Sequence, residues 1–194
     1  MCGRFYVDDE MAIEVEKLVR NIDRDINRKS ESLDIYPSNE ALILSGASKE
    51  KVVSRMKWGF PSFKGNNLII NARSEGVLEK RMFSKSVLER RCLIPARGFY
   101  EWDKSKNKVT FQRSDSGIIY MAGIWRAYED LNHFVILTTE ANASMKEVHS
   151  RMPLILEKEE VDPWLFDNKA MEFLLHKTPL ELIHTGGYIQ QSLF

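Results

Sequence analysis

Apolar residues recur at Met11, Val15, Leu18 and Ile22 behind the acidic pair Asp8-Asp9. That spacing and acidic start predict an amphipathic helix. The charged stretch 21–34 then reads as a solvated loop. From Ala41 onward the pattern shortens into β-type runs at 41–44, 51–58, 68–70, 92–94, 98–102, 109–112, 118–125 and 134–138. Turn residues separate them at Ser45-Gly46, 64–67, 104–108 and 115–117. A helix is expected over 84–90, running into Cys92, a second from about Asn142, and a third over 170–176, with Pro153 and Pro163 punctuating the region between the last two. Many strands with a few flanking helices predict an α+β fold: a single domain over 1–194 on a curled, barrel-like mixed β-sheet.

Composition changes this picture little. A chain of 194 residues, 43% hydrophobic and 29% charged, can bury one sizeable core and is expected to be soluble. Lys+Arg and Asp+Glu number 28 each, so the net charge is zero. This argues against a protein that coats duplex DNA by bulk electrostatics, while leaving room for a local basic groove. Cys2 and Cys92 belong to no CxxC, and the four histidines lack metal-ligand spacing. A reducing compartment with no disulfide, metal or cofactor is therefore expected. No basic-then-apolar leader and no membrane-length apolar run occurs, which makes the cytoplasm the expected location and a monomer the default state.

The candidate chemistry begins at Met1-Cys2-Gly3-Arg4-Phe5. If Met1 is removed, Cys2 carries an α-amine and a thiol on adjacent carbons. The amine can condense with an aldehyde to a Schiff base, and the thiol can close a five-membered thiazolidine on the imine carbon. Both groups react near neutrality, titrating at about 8 and about 8.5. Read alone, Cys2 fits better as a small buried residue, as most cysteines do. Asn71-Ala72-Arg73-Ser74-Glu75 follows an apolar run and offers an amide and a phosphate-binding fork, or simply a strand end capping a helix. In Gly98-Phe99-Tyr100-Glu101-Trp102, alternation places Tyr100 and Trp102 on one face and Glu101 beside Phe99 on the other, a candidate general acid or base. His149-Ser150-Arg151-Met152-Pro153 adds an imidazole and another arginine. Trp58-Gly59-Phe60-Pro61 would stack bases if exposed and is core if buried.

Taken in order with Trp58-Gly59, Arg91-Cys92-Leu93-Ile94-Pro95 and Ala122-Gly123-Ile124-Trp125, these strings resemble the SOS response-associated peptidase family of abasic-site-processing proteins. The resemblance implies a mixed α/β fold around a barrel-like sheet. It also implies that Cys2 crosslinks to the ring-opened abasic sugar in single-stranded DNA, shielding the lesion at the replication fork or nucleoid. By the same resemblance Asn71 positions the sugar and amine, and Glu101 and His149 move protons. Arg4, Arg73 and Arg151 grip phosphates, and Trp58 with Phe60 forms an aromatic shelf. Accompanying lyase action and limited autopeptidase action are compatible with it. Two other readings stand beside it: a thiol peptidase built on Cys2, His149 and Asn71, and a non-catalytic sensor of lesions in single-stranded DNA.

Overall fold

The computed structural model describes residues 2–19, 33–62, 65 and 67–186. Its first half contains β1 (Phe5–Val7), α1 (Asp9–Leu18), β2 (Leu33–Ile35), β3 (Glu40–Ala47), β4 (Glu50–Trp58), β5 (Phe60–Pro61), β6 (Leu68–Ile69), β7 (Asn71–Arg73) and α2 (Ser84–Glu89). The second half contains β8 (Arg91–Ala96), β9 (Gly98–Trp102), β10 (Lys108–Gln112), β11 (Ile119–Tyr128), β12 (Leu131–Glu140), β13 (Arg151–Pro153), β14 (Ile155–Leu156), α3 (Val161–Phe166), α4 (Asn168–Leu174) and β15 (Ile183–Gly186). Met1, Ile22 and most of the expected 21–34 loop lie outside the described residues. No helix among the described residues is long and apolar enough to cross a membrane.

Five strands close a barrel. β12 pairs with β4, β4 with β3, β3 with β8, β8 with β11, and β11 returns to β12. The β4–β12 contact is parallel (His133 opposite Lys57, Phe134 opposite Trp58) and the other four are antiparallel, so the sheet is mixed as expected. A second, antiparallel sheet runs β15-β10-β9-β1-β2. Alternation along β12 explains its unbroken apolar run. Phe134 and Ile136 face one cluster with Phe5, Ile94, Phe99 and Phe111, whereas Val135 and Leu137 face another with Met11, Val87, Trp164 and Met171. Both faces are covered, one by the second sheet and one by helices, so neither can be polar.

Polar side chains fix the joints. Asp8 caps α1, its Oδ1 accepting from the Met11 amide at 2.8 Å, and also takes a two-pronged contact from Arg97 at 2.8 and 3.0 Å. Arg91, 6% exposed, donates to the carbonyls of Val87, Leu88 and Leu165 and to Asn168 Oδ1, satisfying acceptors left over at the ends of α2 and α3.

Three local expectations are corrected. Ser45-Gly46 is not a turn: β3 runs on to Ala47, and the hairpin turns at Ser48-Lys49 with φ of 51° and 66°. Gly46 is needed for space, since a Cβ there would stand 2.5 Å from the Phe166 ring. No helix starts at Asn142; residues 143–148 form successive turns, and the Asn142 amide donates to the carbonyls of Pro179 and Leu180 at 3.0 Å each. Pro163 lies inside α3, in its first turn, where a missing N–H costs nothing.

Candidate active site

The side chain of Asn71 opens the site. β7 lies parallel to β12, with Asn71 opposite Ile136 and Arg73 opposite Thr138, so the segment expected to be a strand end is itself part of the sheet. From there Asn71 Nδ2 donates to the Cys2 carbonyl at 2.9 Å, across 69 residues of sequence. The Asn71 Oδ1 is buried with no hydrogen-bond partner among the described residues, an acceptor left beside the backbone of Cys2.

Cys2 itself is fully buried, and its thiol points weakly to the Arg4 carbonyl at 3.8 Å. Burial pushes the thiol well above the ordinary cysteine range, and the negative charge of Glu101 pushes it further. Glu101 therefore lies close enough to act electrostatically on the sulfur. Its position follows from β9, whose burial alternates as the sequence predicts: Phe99 and Glu101 inward (0% and 4% exposed), Tyr100 and Trp102 outward. β1 sits against β9 with Phe5 opposite Phe99, which carries the chain start alongside the strand that bears Glu101.

His149 reaches this region through its neighbours. The Arg151 amide donates to His149 Nδ1 at 2.9 Å, which puts the ring hydrogen of the neutral imidazole on Nε2. The 3.1 Å approach of the same Nδ1 to the Arg151 carbonyl is then a close contact between acceptors. Arg151 in turn clamps Glu75 at 2.5 and 2.9 Å and donates to the Thr138 carbonyl at 2.6 Å. Burial alone would raise the Glu75 carboxyl, but the Arg151 contacts win and hold it below the usual carboxylate range. His149 is thus tied by Arg151 and Glu75 to the turn that follows Asn71. Arg151 is committed to this pair, and Arg73 is exposed beside it.

Arg4 occupies an aromatic cage. Its guanidinium lies 4.4 Å from the Tyr36 ring centre, 5.1 Å from that of Trp102 and 5.9 Å from that of Tyr100, with Asp34 at 3.7 Å. Burial, helped by its hydrogen bond to Asp34, pushes the Tyr100 hydroxyl up to about 12.

The expected shelf of Trp58 and Phe60 is corrected. Both are fully buried and offer no face to a base. Residues two apart in a strand share a face, yet Trp58 belongs to the cluster of Phe134 and Phe60 to that of Val135. Gly59 between them has φ of 108°, and this kink turns the chain over. Trp58 stacks on Phe134 at a centroid distance of 6.1 Å and meets Phe5 at a tilt at 5.2 Å, and its Nε1 donates to the Ile70 carbonyl at 3.0 Å, bracing the residue before Asn71. The exposed rings beside Arg4 are instead Tyr36 and Trp102, 41% and 37% exposed. The sequence carried a signal for Trp102 in the β9 alternation, but none for Tyr36.

A protein from Bacteroides thetaiotaomicron superposes with a TM-score of 0.77 over 97% of this chain and 93% of its own, at 20% identity, a likeness of fold. In sequence, the abasic site processing protein YoqW of Bacillus subtilis is 31% identical over 181 residues, covering 85% of this chain and 80% of YoqW. The abasic site processing protein YedK of Escherichia coli is 29% identical over 176 residues, covering 85% and 79%. The family model described as SOS response associated peptidase (SRAP) matches residues 1–185, a span holding Cys2, Asn71, Glu101 and His149. The chain belongs to the SRAP family.

Proposed function

We propose that this protein processes abasic sites in single-stranded DNA by joining the sugar aldehyde to Cys2 once Met1 has been removed. The observation that carries the reading is the convergence of the Asn71 amide and the Glu101 charge on a residue at the chain start. A base-less sugar rests mainly as a closed hemiacetal, so a proton must leave its hydroxyl and reach the ring oxygen before an aldehyde is available. His149 and Glu101 supply that transfer. The α-amine then attacks the carbonyl carbon. Proton transfer to the carbinolamine hydroxyl from Glu101 releases water and leaves the imine. Finally the Cys2 S–H adds across C=N: sulfur bonds to carbon, the proton ends on nitrogen, and a thiazolidine closes.

A buried, protonated thiol suits this order, with the amine acting first and sulfur second. It suits a thiol peptidase poorly, because that chemistry begins with thiolate. Accompanying lyase action would be β-elimination from the same imine, before sulfur closes the ring. Arg73 and Arg4 supply cationic contact to flanking phosphates, and the exposed Tyr36 and Trp102 rings supply stacking surface in place of Trp58 and Phe60.

The test is intact-mass spectrometry of Met1-free protein after incubation with an abasic single-stranded oligonucleotide. The adduct is expected at the summed mass less one water, and to survive denaturing electrophoresis. Cys2→Ala should yield no stable adduct, while Glu101→Gln should slow formation by about 10²-fold or more, the usual worth of a general acid or base. No adduct from the Met1-free wild type would end the proposal.

A further inference from the structure

One cleft, of about 450 Å³, is lined by both signs of charge, Glu14, Asp115 and Glu157 lying with Lys17 and Arg113. Another, of about 470 Å³, differs in kind. It opens between α2 with its preceding turn and the end of β11, and Arg81, Lys85, Arg90 and Arg126 line it with Met82 and Trp125. No acidic side chain among the described residues lines it. In a chain whose net charge is zero, four cations gathered here repel one another, and the fold does little to offset that.

Arg81 and Lys85 have no ion-pair partner among the described residues. Arg90 reaches only its sequence neighbour Glu89, at 3.4 Å, and its Nε is buried without an acceptor among the described residues. Arg126 lies 5.3 Å from the Tyr128 ring centre, a contact that leaves the sign of the cleft unchanged. Guanidinium forks match phosphate oxygens in pairs, and the half-buried Trp125 ring offers a plane for a base.

Strand register relates the cleft to the active site. Arg126 lies opposite His133 and Trp125 opposite Phe134, whereas Asn71 lies opposite Ile136 and Arg73 opposite Thr138. At about 3.3 Å per residue, the cleft is offset along β12 from Asn71 by roughly 7–10 Å and from Arg73 by roughly 13–17 Å. Asn71, opposite Ile136, shares the face of Cys2, whereas Arg126, opposite His133, shares the face covered by α2. A strand seated at Cys2 must therefore pass round the sheet as well as along it, and only a strand well longer than the lesion site reaches the cleft.

We propose that this cleft is a second, lesion-independent binding site for the phosphodiester backbone of single-stranded DNA, holding the strand beyond the nucleotides at Cys2. The inference rests on the proposed function for the identity of the polymer. The test is fluorescence anisotropy with dT5 and dT20 across a salt series, for wild type, Lys85→Glu and the Lys85→Glu/Arg126→Glu double variant. Wild type is expected to bind dT20 at least ~10-fold more tightly than dT5. The double variant should lose that length advantage, with a salt slope smaller by about 1–2, as expected for two lost single-strand contacts. Lys85→Glu, at an exposed position, should show a partial loss and guards against a folding defect. Crosslinking of a five-nucleotide abasic strand should be unchanged in all three, so failure of that reaction in wild type counts against the proposed chemistry and not against the cleft. A retained length advantage and salt slope in the folded double variant would overturn the proposal. So would intact DNA binding with lost binding of poly-glutamate, which would assign the cleft to an acidic protein.

Discussion

At the scale of the residue, the protein spends most effort on Cys2. Its sulfur is buried and faces the Glu101 charge, so its folded-state titration lies above that of an unfolded cysteine. A thiol raised in the folded state contributes stability that is present below about pH 8.5 and is lost as pH rises toward the folded value. At pH 8.5, where an exposed cysteine is about half ionised, Cys2 should stay protonated. Iodoacetamide should then label Cys2 in the folded protein at least ~10-fold more slowly than in urea, with peptide mapping to separate it from the equally buried Cys92. Equal rates would show an accessible thiolate and restore the peptidase reading. The sequence identified Cys2, Asn71, Glu101 and His149 as residue types able to do this chemistry, but the aromatic neighbours of Arg4 were half missed. Tyr36 stands in no motif and comes near Arg4 because β2 pairs with β1.

At the scale of the element, glycines decide where strands can approach. Gly98 lies opposite Tyr6 in β1 and Gln112 in β10, and a Cβ there would stand 2.5 Å from the Phe111 carbonyl and 2.7 Å from the Tyr6 ring. The Tyr6 hydroxyl, bonded to Gln112 at 3.0 Å, and its stacking on Tyr100 hold that ring in place. Gly98→Ala should therefore lower stability by about 1–3 kcal/mol, the usual cost of overpacking. The urea midpoint should move at unchanged slope, and an unshifted midpoint would mean that β1 is not held against β9. The strands over 98–102 and 134–138 were legible because alternation or an unbroken apolar run survives any tertiary context. β1, β2, β13 and β14 were missed because two or three residues carry no period.

At the scale of the whole molecule, a neutral chain separates its charges: a cationic cleft by α2, paired carboxylates elsewhere. Arg97 joins the first helix to the sheets through Asp8 at the helix start and through Glu14 and Glu10 within it. The Arg97 hydrogen bonds hold the Asp8 carboxyl below its ordinary range, with burial opposing and the Met11 amide assisting. A depressed carboxyl contributes stability that is present above about pH 3.9 and is lost as pH falls through the folded value. Asp8→Asn should thus narrow the difference in urea midpoint between pH 7 and pH 3, and an unchanged difference would remove this pair from the acid response.

The sequence by itself determined the longer strands and the helices α1 and α2, and which side chains could do aldehyde chemistry, because period and functional-group type are local properties. The closure of the barrel, the burial of Trp58 and Phe60 in different clusters on either side of Gly59, and the meeting of Asn71 with Cys2 were decided by the tertiary structure. The partners of that last hydrogen bond lie 69 residues apart, and strand pairing, which no neighbouring residue encodes, brings them within 2.9 Å.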